Sequence, residues 1–149
     1  MARIYVASSW RNETQQYAVA CLRLSGHEVY DFRNPSELFP SNPSEGFSWE
    51  ELSPRWNIWS MQEFVAALDL TKAREGFRAD FDAMRWADTF LLLYPCGRSA
   101  HLEAGWACGQ GKKVITLLSE KFEPELMLKM CDHICTSIFE VLDILSEDS

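Results

Sequence analysis

The fold of this chain is decided by Thr89-Phe90-Leu91-Leu92-Leu93-Tyr94 and by the run that follows it, Gly97-Arg98-Ser99-Ala100-His101-Leu102-Glu103-Ala104-Gly105-Trp106-Ala107. The first part is short and apolar, which predicts a buried strand, and the second predicts a helix that ends at Gly109 or Gly111. We therefore expect Glu103 in the first turn of a helix at the carboxyl end of a strand, where parallel α/β sheets form their ligand crevice. An acid at that place is a candidate nucleophile, or a base for a sugar or phosphate ligand. Arg98, Ser99 and the nearby backbone N–H groups are candidates for holding an anion.

Short apolar strands and longer helices alternate over the rest of the chain. This alternation predicts a parallel sheet with helices on both faces, and the right-handed crossover rule favours a flavodoxin-like, doubly wound order. We expect about five parallel strands in a single α/β domain that covers residues 1–149. The predicted strands are 4–7, 28–30, 89–94, 114–118 and 134–136. The predicted helices are one that starts with a cap at 12–15 and stops at Gly26, and others at 61–70, 73–86, 100–108, 124–130 and 137–145.

A long segment at about 34–59 separates the second strand from the next helix, and its first part, 34–54, is rich in Pro, Ser and Asn. Loops of this length in a compact domain are usually functional or disordered. This one carries the large aromatic side chains Phe39, Phe47, Trp49, Trp56 and Trp59. We expect a substrate lid, a subunit contact or a small satellite core, and the sequence leaves these three open.

The composition excludes several classes of function. Apolar residues make up 47% of the 149 residues, which is enough for a core. The net charge of −8 and the pI of about 4.8 argue against a broad surface for a nucleic acid polymer, whereas a small anionic ligand in a locally basic pocket stays compatible. The apolar runs fall short of the roughly 20 residues that a membrane span needs. The N-terminus has no signal-peptide pattern, so we expect a cytoplasmic protein without membrane contact.

The cysteine pattern argues against disulfides and against a metal centre. There are five cysteines, an odd number, and they stand in apolar contexts that indicate free thiols in a reducing cytoplasm. The segment Cys131-Asp132-His133-Ile134-Cys135 contains metal-ligand types, but its spacing is not that of a zinc site. We therefore expect no metal and no other cofactor.

Three polar segments meet at one edge of the predicted sheet. The first is Tyr5 with residues 7–12, which leave the first strand; the second is 80–88, which leads into the third strand; the third is 97–107, which leaves it. In their order and spacing these segments resemble the nucleoside 2-deoxyribosyltransferase superfamily, which includes the transferases and the 2′-deoxynucleoside 5′-phosphate N-hydrolases. The resemblance covers most of the chain and carries expectations for individual residues.

The resemblance implies three catalytic residues. The family's first-strand tyrosine corresponds to Tyr5, and its Glu-x-Gly-x-Ala pattern corresponds to 103–107, with Glu103 as the nucleophile. The family also has an aspartate eight residues before the aspartate of an Ala-Asp pair, which is found here at 87–88. This places it at Asp80, with Asp82 as a rival for substrate contact. Asp80 is expected to protonate or orient the leaving base, and Tyr5 to hydrogen-bond Glu103.

The resemblance also implies a phosphate site. The phosphate-using hydrolases have a serine and an arginine after the first strand, and Ser9 and Arg11 occupy the matching positions. They also have a serine six residues before the glutamate, where this chain has Gly97. Arg98 and Ser99 lie close enough to substitute for it, so we expect these four polar side chains to hold a 5′-phosphate.

Two more side chains are candidates for substrate contact. Trp10, or a tryptophan of the long segment, is expected to stack on the base. His101 stands two residues before Glu103 and faces either the substrate or solvent. Members of the superfamily often build their site across a subunit interface, which implies a homodimer or a higher homo-oligomer.

We predict an enzyme that cleaves the N-glycosidic bond of a nucleoside 5′-monophosphate, or of a nucleoside, and releases the free base. Positive charge develops at the anomeric carbon in such a reaction, which explains a carboxylate beneath the sugar. One alternative is a nucleoside 2-deoxyribosyltransferase that exchanges bases. A second is a non-catalytic nucleotide-binding or sensing module, and a third is a structural partner protein, for which the Trp-rich segment is the best support.

Overall fold

Five parallel strands form one sheet in the computed structural model, which describes residues 1–148. The strands are β1 (Arg3–Ala7), β2 (Glu28–Tyr30), β3 (Thr89–Leu93), β4 (Lys113–Leu117) and β5 (His133–Cys135). The α-helices are α1 (Gln15–Leu24), α2 (Met61–Ala67), α3 (Thr71–Trp86), α4 (Arg98–Gly109) and α5 (Ile138–Glu147). The strand order is β2-β1-β3-β4-β5, and every neighbouring pair is parallel. The predicted flavodoxin-like, doubly wound order is confirmed.

Helices cover both faces of the sheet. Since successive residues of a strand point to opposite faces, each strand contributes side chains to two separate cores. Ile4 and Val6 of β1 belong to a core that includes residues of α1 and α5, whereas Tyr5 and Ala7 belong to a core that includes residues of α3 and α4. β3 is buried along its whole length, as expected for a central parallel strand. Tyr5 therefore faces the same layer as the helix that carries Glu103.

Several predicted element boundaries are wrong by a few residues. α4 begins at Arg98, directly after an extended Gly97, so Glu103 lies in its second turn and not in its first. The helix predicted at 61–70 ends at Ala67, and α3 begins at Thr71. The helix predicted at 124–130 is a 3₁₀ helix, Leu126–Met130, which lies between the extended residues Glu125 and Cys131.

The long segment at 34–59 packs on α3 and contains two 3₁₀ turns, Trp49–Glu51 and Trp56–Ile58. Trp49 contacts Phe47, Trp59 and Phe64 edge to face, with ring centroids 5.0, 5.9 and 5.8 Å apart. A Cβ placed on Gly76 of α3 would lie 2.6 Å from the Cβ of Phe47, so only glycine admits this approach. This packing is that of a small satellite core, which is one of the three alternatives expected from the sequence.

Two features concern the described residues as a set. No helix within residues 1–148 combines the length and the hydropathy of a bilayer span. The same residues contain no group of three or more His, Cys, Asp or Glu side chains arranged to hold a metal ion.

Candidate active site

Tyr5 and Glu103 form the centre of the candidate site. β1 directs the Tyr5 side chain towards α4, and its hydroxyl donates a hydrogen bond to Oε2 of Glu103. The Tyr5 ring is 1% exposed and lies between Tyr30 and Phe90, at centroid distances of 5.5 and 4.9 Å. These three aromatic residues are register partners on β2, β1 and β3, so the sheet itself fixes the position of the Tyr5 hydroxyl.

A second tyrosine–carboxyl pair lies beside the first. The hydroxyl of Tyr30, at the end of β2, donates to Oδ1 of Asp80 on α3 at 2.9 Å. Sequence reasoning identified Asp80 but missed Tyr30. The available signal was the parallel pairing of the first two strands, which places Tyr30 beside Tyr5 on the same face.

The two carboxyl groups are held largely out of water, although both residues are half-buried as a whole. Burial raises the pKa of Glu103 to about 8, the Asp80 charge adds to the rise, and the Tyr5 hydrogen bond opposes it. Burial also raises the pKa of Asp80 to about 6, and the Tyr30 hydrogen bond opposes that rise. At neutral pH the pair therefore holds about one proton, which belongs to the pair and not to one residue.

The tyrosines stay protonated in this setting. Burial and the neighbouring charge of Glu103 raise the pKa of Tyr5 well above its ordinary value. Burial and the charge of Asp80 raise the pKa of Tyr30 in the same direction. Both phenols therefore act as hydrogen-bond donors throughout the physiological pH range.

Two polar side chains stabilise the loop between β1 and α1 by hydrogen bonds. This loop carries Ser9, Trp10 and Arg11. Asn12 is buried, and its amide nitrogen donates to Oγ of Ser8 at 3.0 Å. The NH2 group of Arg33 donates to the backbone oxygens of Ser9, Trp10 and Asn12 at 3.0, 3.0 and 2.8 Å. Sequence reasoning missed Arg33, whose role depends on loop carbonyls that no motif encodes.

The four predicted phosphate contacts follow β1 and β3, which are adjacent strands, at the same edge of the sheet. Arg11, Arg98 and Ser99 are exposed, and within residues 1–148 neither arginine forms an ion pair. Ser9 is half-buried, and its hydroxyl accepts a hydrogen bond from the backbone N–H of Arg11 at 3.1 Å. Arg11 lies in the loop after β1, and Arg98 is the first residue of α4 after β3. Two cations without ion-pair partners in these positions favour the binding of an anionic group at this edge of the sheet.

Trp10 connects this loop to the long segment. Its indole N–H donates to the backbone oxygen of Phe47 at 3.1 Å, and the Arg33 guanidinium lies 5.5 Å from its ring centroid. The ring is 49% exposed, which leaves surface for stacking on a planar ligand. A Cβ on Gly46 would overlap the Phe32 carbonyl oxygen, so glycine lets the long segment close against this loop.

A small pocket separates the long segment from α3, and Asp80 forms part of its wall. Its charged lining consists of Glu45, Glu51, Lys72, Glu75 and Asp80. The long segment thus contributes directly to the surroundings of Asp80.

Two predicted contact residues are turned away from the carboxyl pair. Asp82 is exposed on α3 and pairs with Arg78 and Arg85 at 3.4 and 3.6 Å. Two residues along an α-helix correspond to a rotation of about 200°, so Asp80 and Asp82 face opposite sides. The structure thus places Asp82 on the side of α3 away from Asp80, and its contact with the substrate stays a prediction.

His101 is likewise separated from Glu103 by two residues of α4. Its Nε2 lies 2.8 Å from the Tyr94 hydroxyl and its Nδ1 lies 2.7 Å from the Gly97 carbonyl oxygen, so both ring nitrogens are engaged. The residue lines a groove between α4 and the 3₁₀ helix at Leu126–Met130. Substrate contact by His101 stays a prediction.

Several solved structures share this fold, although no family model and no curated protein matches the chain. A 2-deoxyribosyltransferase from Bacillus psychrosaccharolyticus is 18% identical, with a TM-score of 0.56 over 94% of this chain and 90% of that one. A CMP N-glycosidase from Clostridium botulinum is 19% identical, with a TM-score of 0.51 over 98% of both chains. A conserved protein from Enterococcus faecalis V583 is 13% identical, with a TM-score of 0.60 over 100% of this chain and 99% of that one. The fold that the resemblance implied is thus shared with these structures over nearly the whole chain.

Proposed function

We propose that this protein is an enzyme that cleaves the N-glycosidic bond of a nucleoside 5′-monophosphate, or of a nucleoside, and releases the free base. The observation that carries the proposal is the pair of water-shielded carboxyls, Glu103 and Asp80, each held by a buried tyrosine hydroxyl on one face of the sheet. Two proteins with the same fold are named as a 2-deoxyribosyltransferase and a CMP N-glycosidase, which supports chemistry at this bond.

The proposed reaction has two steps. The form of the pair that reacts has the shared proton on Asp80, and it is the minor form of the free site because the pKa of Glu103 is the higher of the two. In the first step, Glu103, ionised in this form, attacks the anomeric carbon and the bond from that carbon to the base nitrogen breaks. The electron pair of the broken bond goes to the base, which takes the proton of the neutral carboxyl, Asp80. In the second, water attacks the glycosyl ester of Glu103, the ionised Asp80 takes a proton from that water, and the sugar leaves with a new hydroxyl group. Tyr5 stabilises the negative charge on Glu103 whenever the ester is absent.

The phosphate would lie at the carboxyl ends of β1 and β3, on Ser9, Arg11, Arg98 and Ser99. Charge-assisted hydrogen bonds from arginine and serine suit the phosphate oxygens. Trp10, with its exposed indole face, is positioned on the same loop to stack on a base. The unpaired arginines are the reason that we place the monophosphate ahead of the nucleoside.

Base exchange is the second candidate, since the same glycosyl ester gives transfer when a second base replaces water. A non-catalytic sensor is disfavoured because a binding module gains nothing from two desolvated carboxyls, which cost stability. No observation favours the structural partner protein over these readings.

We also propose that the protein works as a homo-oligomer in the cytoplasm. The surface carries several large apolar side chains: Ile58, Met61, Val65, Leu68, Leu70, Phe77, Leu102, Leu126, Met127 and Met130. Exposed apolar side chains of this size are compatible with a subunit interface, and all five cysteines are free, which suits a reducing compartment. The mass in solution, measured by light scattering, should correspond to two or more chains.

The test is base release measured by chromatography. Ribo- and deoxyribonucleosides and their 5′-monophosphates are incubated with the protein, with and without a competing free base. We expect release from a monophosphate, a loss of at least about 1,000-fold in kcat for Glu103→Gln, and no loss for Glu28→Gln, an exposed carboxyl at the opposite end of the sheet. Turnover only with the competing base would identify a transferase, and binding without any turnover would leave the sensor.

A further inference from the structure

We infer that Tyr30 is a positioning residue for Asp80: its hydroxyl fixes which carboxylate oxygen faces the leaving base and which one is held by the protein. This inference rests on the proposed function, because it assigns Asp80 the transfer of a proton to the base. The contact between the Tyr30 hydroxyl and Oδ1 of Asp80, at 2.9 Å, is the observation from which it starts.

The position of the Tyr30 hydroxyl is set by the sheet and not by α3. Tyr30 is completely buried, and its ring stacks on Tyr5 with a 14° angle between the planes. Phe39 packs on its ring at a centroid distance of 6.1 Å. Close packing on both sides restricts the movement of this buried ring, so its hydroxyl offers Asp80 a fixed anchor.

Asp80 depends on this anchor. Within residues 1–148 its carboxyl forms no ion pair, and Tyr30 is the one hydrogen-bond donor that reaches it. A carboxyl in a desolvated site that loses its donor either turns towards other partners or stays neutral. The bond to Oδ1 leaves Oδ2 for the base, so the proton that Asp80 gives up has a defined starting point.

The charged and titratable groups around Asp80 come from several elements. Besides Tyr30 they are Tyr5 of β1, Glu103 of α4, Glu45 and Glu51 of the long segment, and Lys72 and Glu75 of α3. Burial opposes the ionisation of Asp80, whereas the hydrogen bond from Tyr30 favours it. Removal of the Tyr30 hydroxyl should therefore make Asp80 harder to ionise.

The experiment compares the pH dependence of kcat/KM for base release in the wild type, Tyr30→Phe and Tyr5→Phe. In Tyr30→Phe we expect the acidic limb of the profile to move up by about half to one pH unit, with kcat about tenfold lower at neutral pH and KM within about twofold. Tyr5→Phe is the matched control, since it removes the donor to the other carboxyl and should move the alkaline limb instead. An acidic limb that stays in place in Tyr30→Phe would overturn the inference, as would equal shifts of the same limb in both variants.

Two further measurements keep the inference testable if Tyr30→Phe folds poorly. Incorporation of 3-fluorotyrosine at position 30 keeps the shape and strengthens the donor, so the acidic limb should move down. In an Asp80→Asn background, Tyr30→Phe should cause less than a twofold further loss of kcat, because the partner of its hydroxyl has already been changed. Full additivity of the two losses would contradict a joint role.

A direct titration separates this inference from the proposed function. The carboxyl carbon of Asp80 can be followed by NMR in the wild type and in Tyr30→Phe without any substrate. If no nucleoside or nucleotide is cleaved but the Asp80 titration moves up in the variant, the function fails and the positioning by Tyr30 stands. If cleavage occurs and the titration does not move, the function stands and the positioning fails.

Discussion

At the scale of single residues, the protonation state of the two carboxyls decides when the site can work. Attack by one carboxyl requires it to be ionised, and protonation of the leaving base requires the other to be neutral. The pKa of Asp80 is raised to about 6 and that of Glu103 to about 8, so the singly protonated pair predominates between these values. Below this range neither carboxyl is ionised, and above it neither carries a proton.

We therefore predict a bell-shaped dependence of kcat/KM on pH, with limbs near 6 and 8 and a maximum near 7. The profile is measured with the nucleotide that is cleaved fastest in the panel. Asp80→Asn removes one titrating group and should leave a profile with a single limb at much reduced activity. A flat profile between pH 5 and 9, as a practical window, would contradict shared protonation of the pair.

At the scale of elements, the β1–α1 loop depends on a side chain from outside it. The Arg33 NH2 group joins three loop carbonyls, and its guanidinium lies 5.5 and 5.8 Å from the ring centroids of Trp10 and Phe32. Lysine carries the same charge but lacks the planar group that makes these contacts. The shape of the loop that presents Ser9 and Arg11 should therefore change in Arg33→Lys while the charge does not.

For Arg33→Lys we predict that KM for a 5′-monophosphate rises about tenfold while kcat changes less than about threefold. KM for the corresponding nucleoside should rise clearly less, about threefold or below, because it depends on this loop only through stacking on Trp10 and has no phosphate there. Arg23→Lys is the matched control, since Arg23 lies on α1 and pairs with Glu37 at 2.9 Å. Equal increases of both KM values would mean that Arg33 supports the whole site and not the phosphate loop.

Sequence patterns predict the elements better than the contacts between them. The apolar run at 89–94 was sufficient to predict the central strand, and the family resemblance implied the hydrogen bond between Tyr5 and Glu103 that joins β1 to α4. Tyr30 escaped prediction because its role comes from the pairing of a three-residue strand and from the rotation of α3. The same rotation separates Asp80 from Asp82, which lie too close in sequence to be ranked by spacing alone.

The packing of the long segment also could not be predicted from the sequence. Composition predicts an aromatic loop, but only the structure shows Phe47 against Gly76 and the indole of Trp10 bonded to the backbone of Phe47. Contacts of this kind join residues that are distant in the chain and follow no period. The long segment therefore forms one wall of the pocket beside Asp80. No single residue of the segment predicts this position.

At the scale of the whole molecule, the site is held at a cost to stability. The carboxyl pair of the folded protein keeps a proton, held mainly by Glu103, up to about pH 8, whereas Glu103 in the unfolded chain releases its proton near the ordinary pKa of 4.5. Because the folded state binds the proton more tightly, stability is highest below pH 4.5 for this group and falls as the pH rises towards 8. Glutamine resembles the protonated side chain and does not titrate, so it escapes this loss.

We predict that Glu103→Gln is more stable than the wild type at alkaline pH by about 2–5 kcal/mol, which corresponds to roughly 5–15 °C in Tm. Thermal melts at a series of pH values should show the gain shrinking towards zero near pH 4–5, where both side chains are neutral in both states. Glu28→Gln, at an exposed position, should track the wild type throughout. A gain of equal size at every pH would point to better packing, whereas no gain at pH 9 would mean that Glu103 is not shielded from water and that the proposed site lacks its main electrostatic feature.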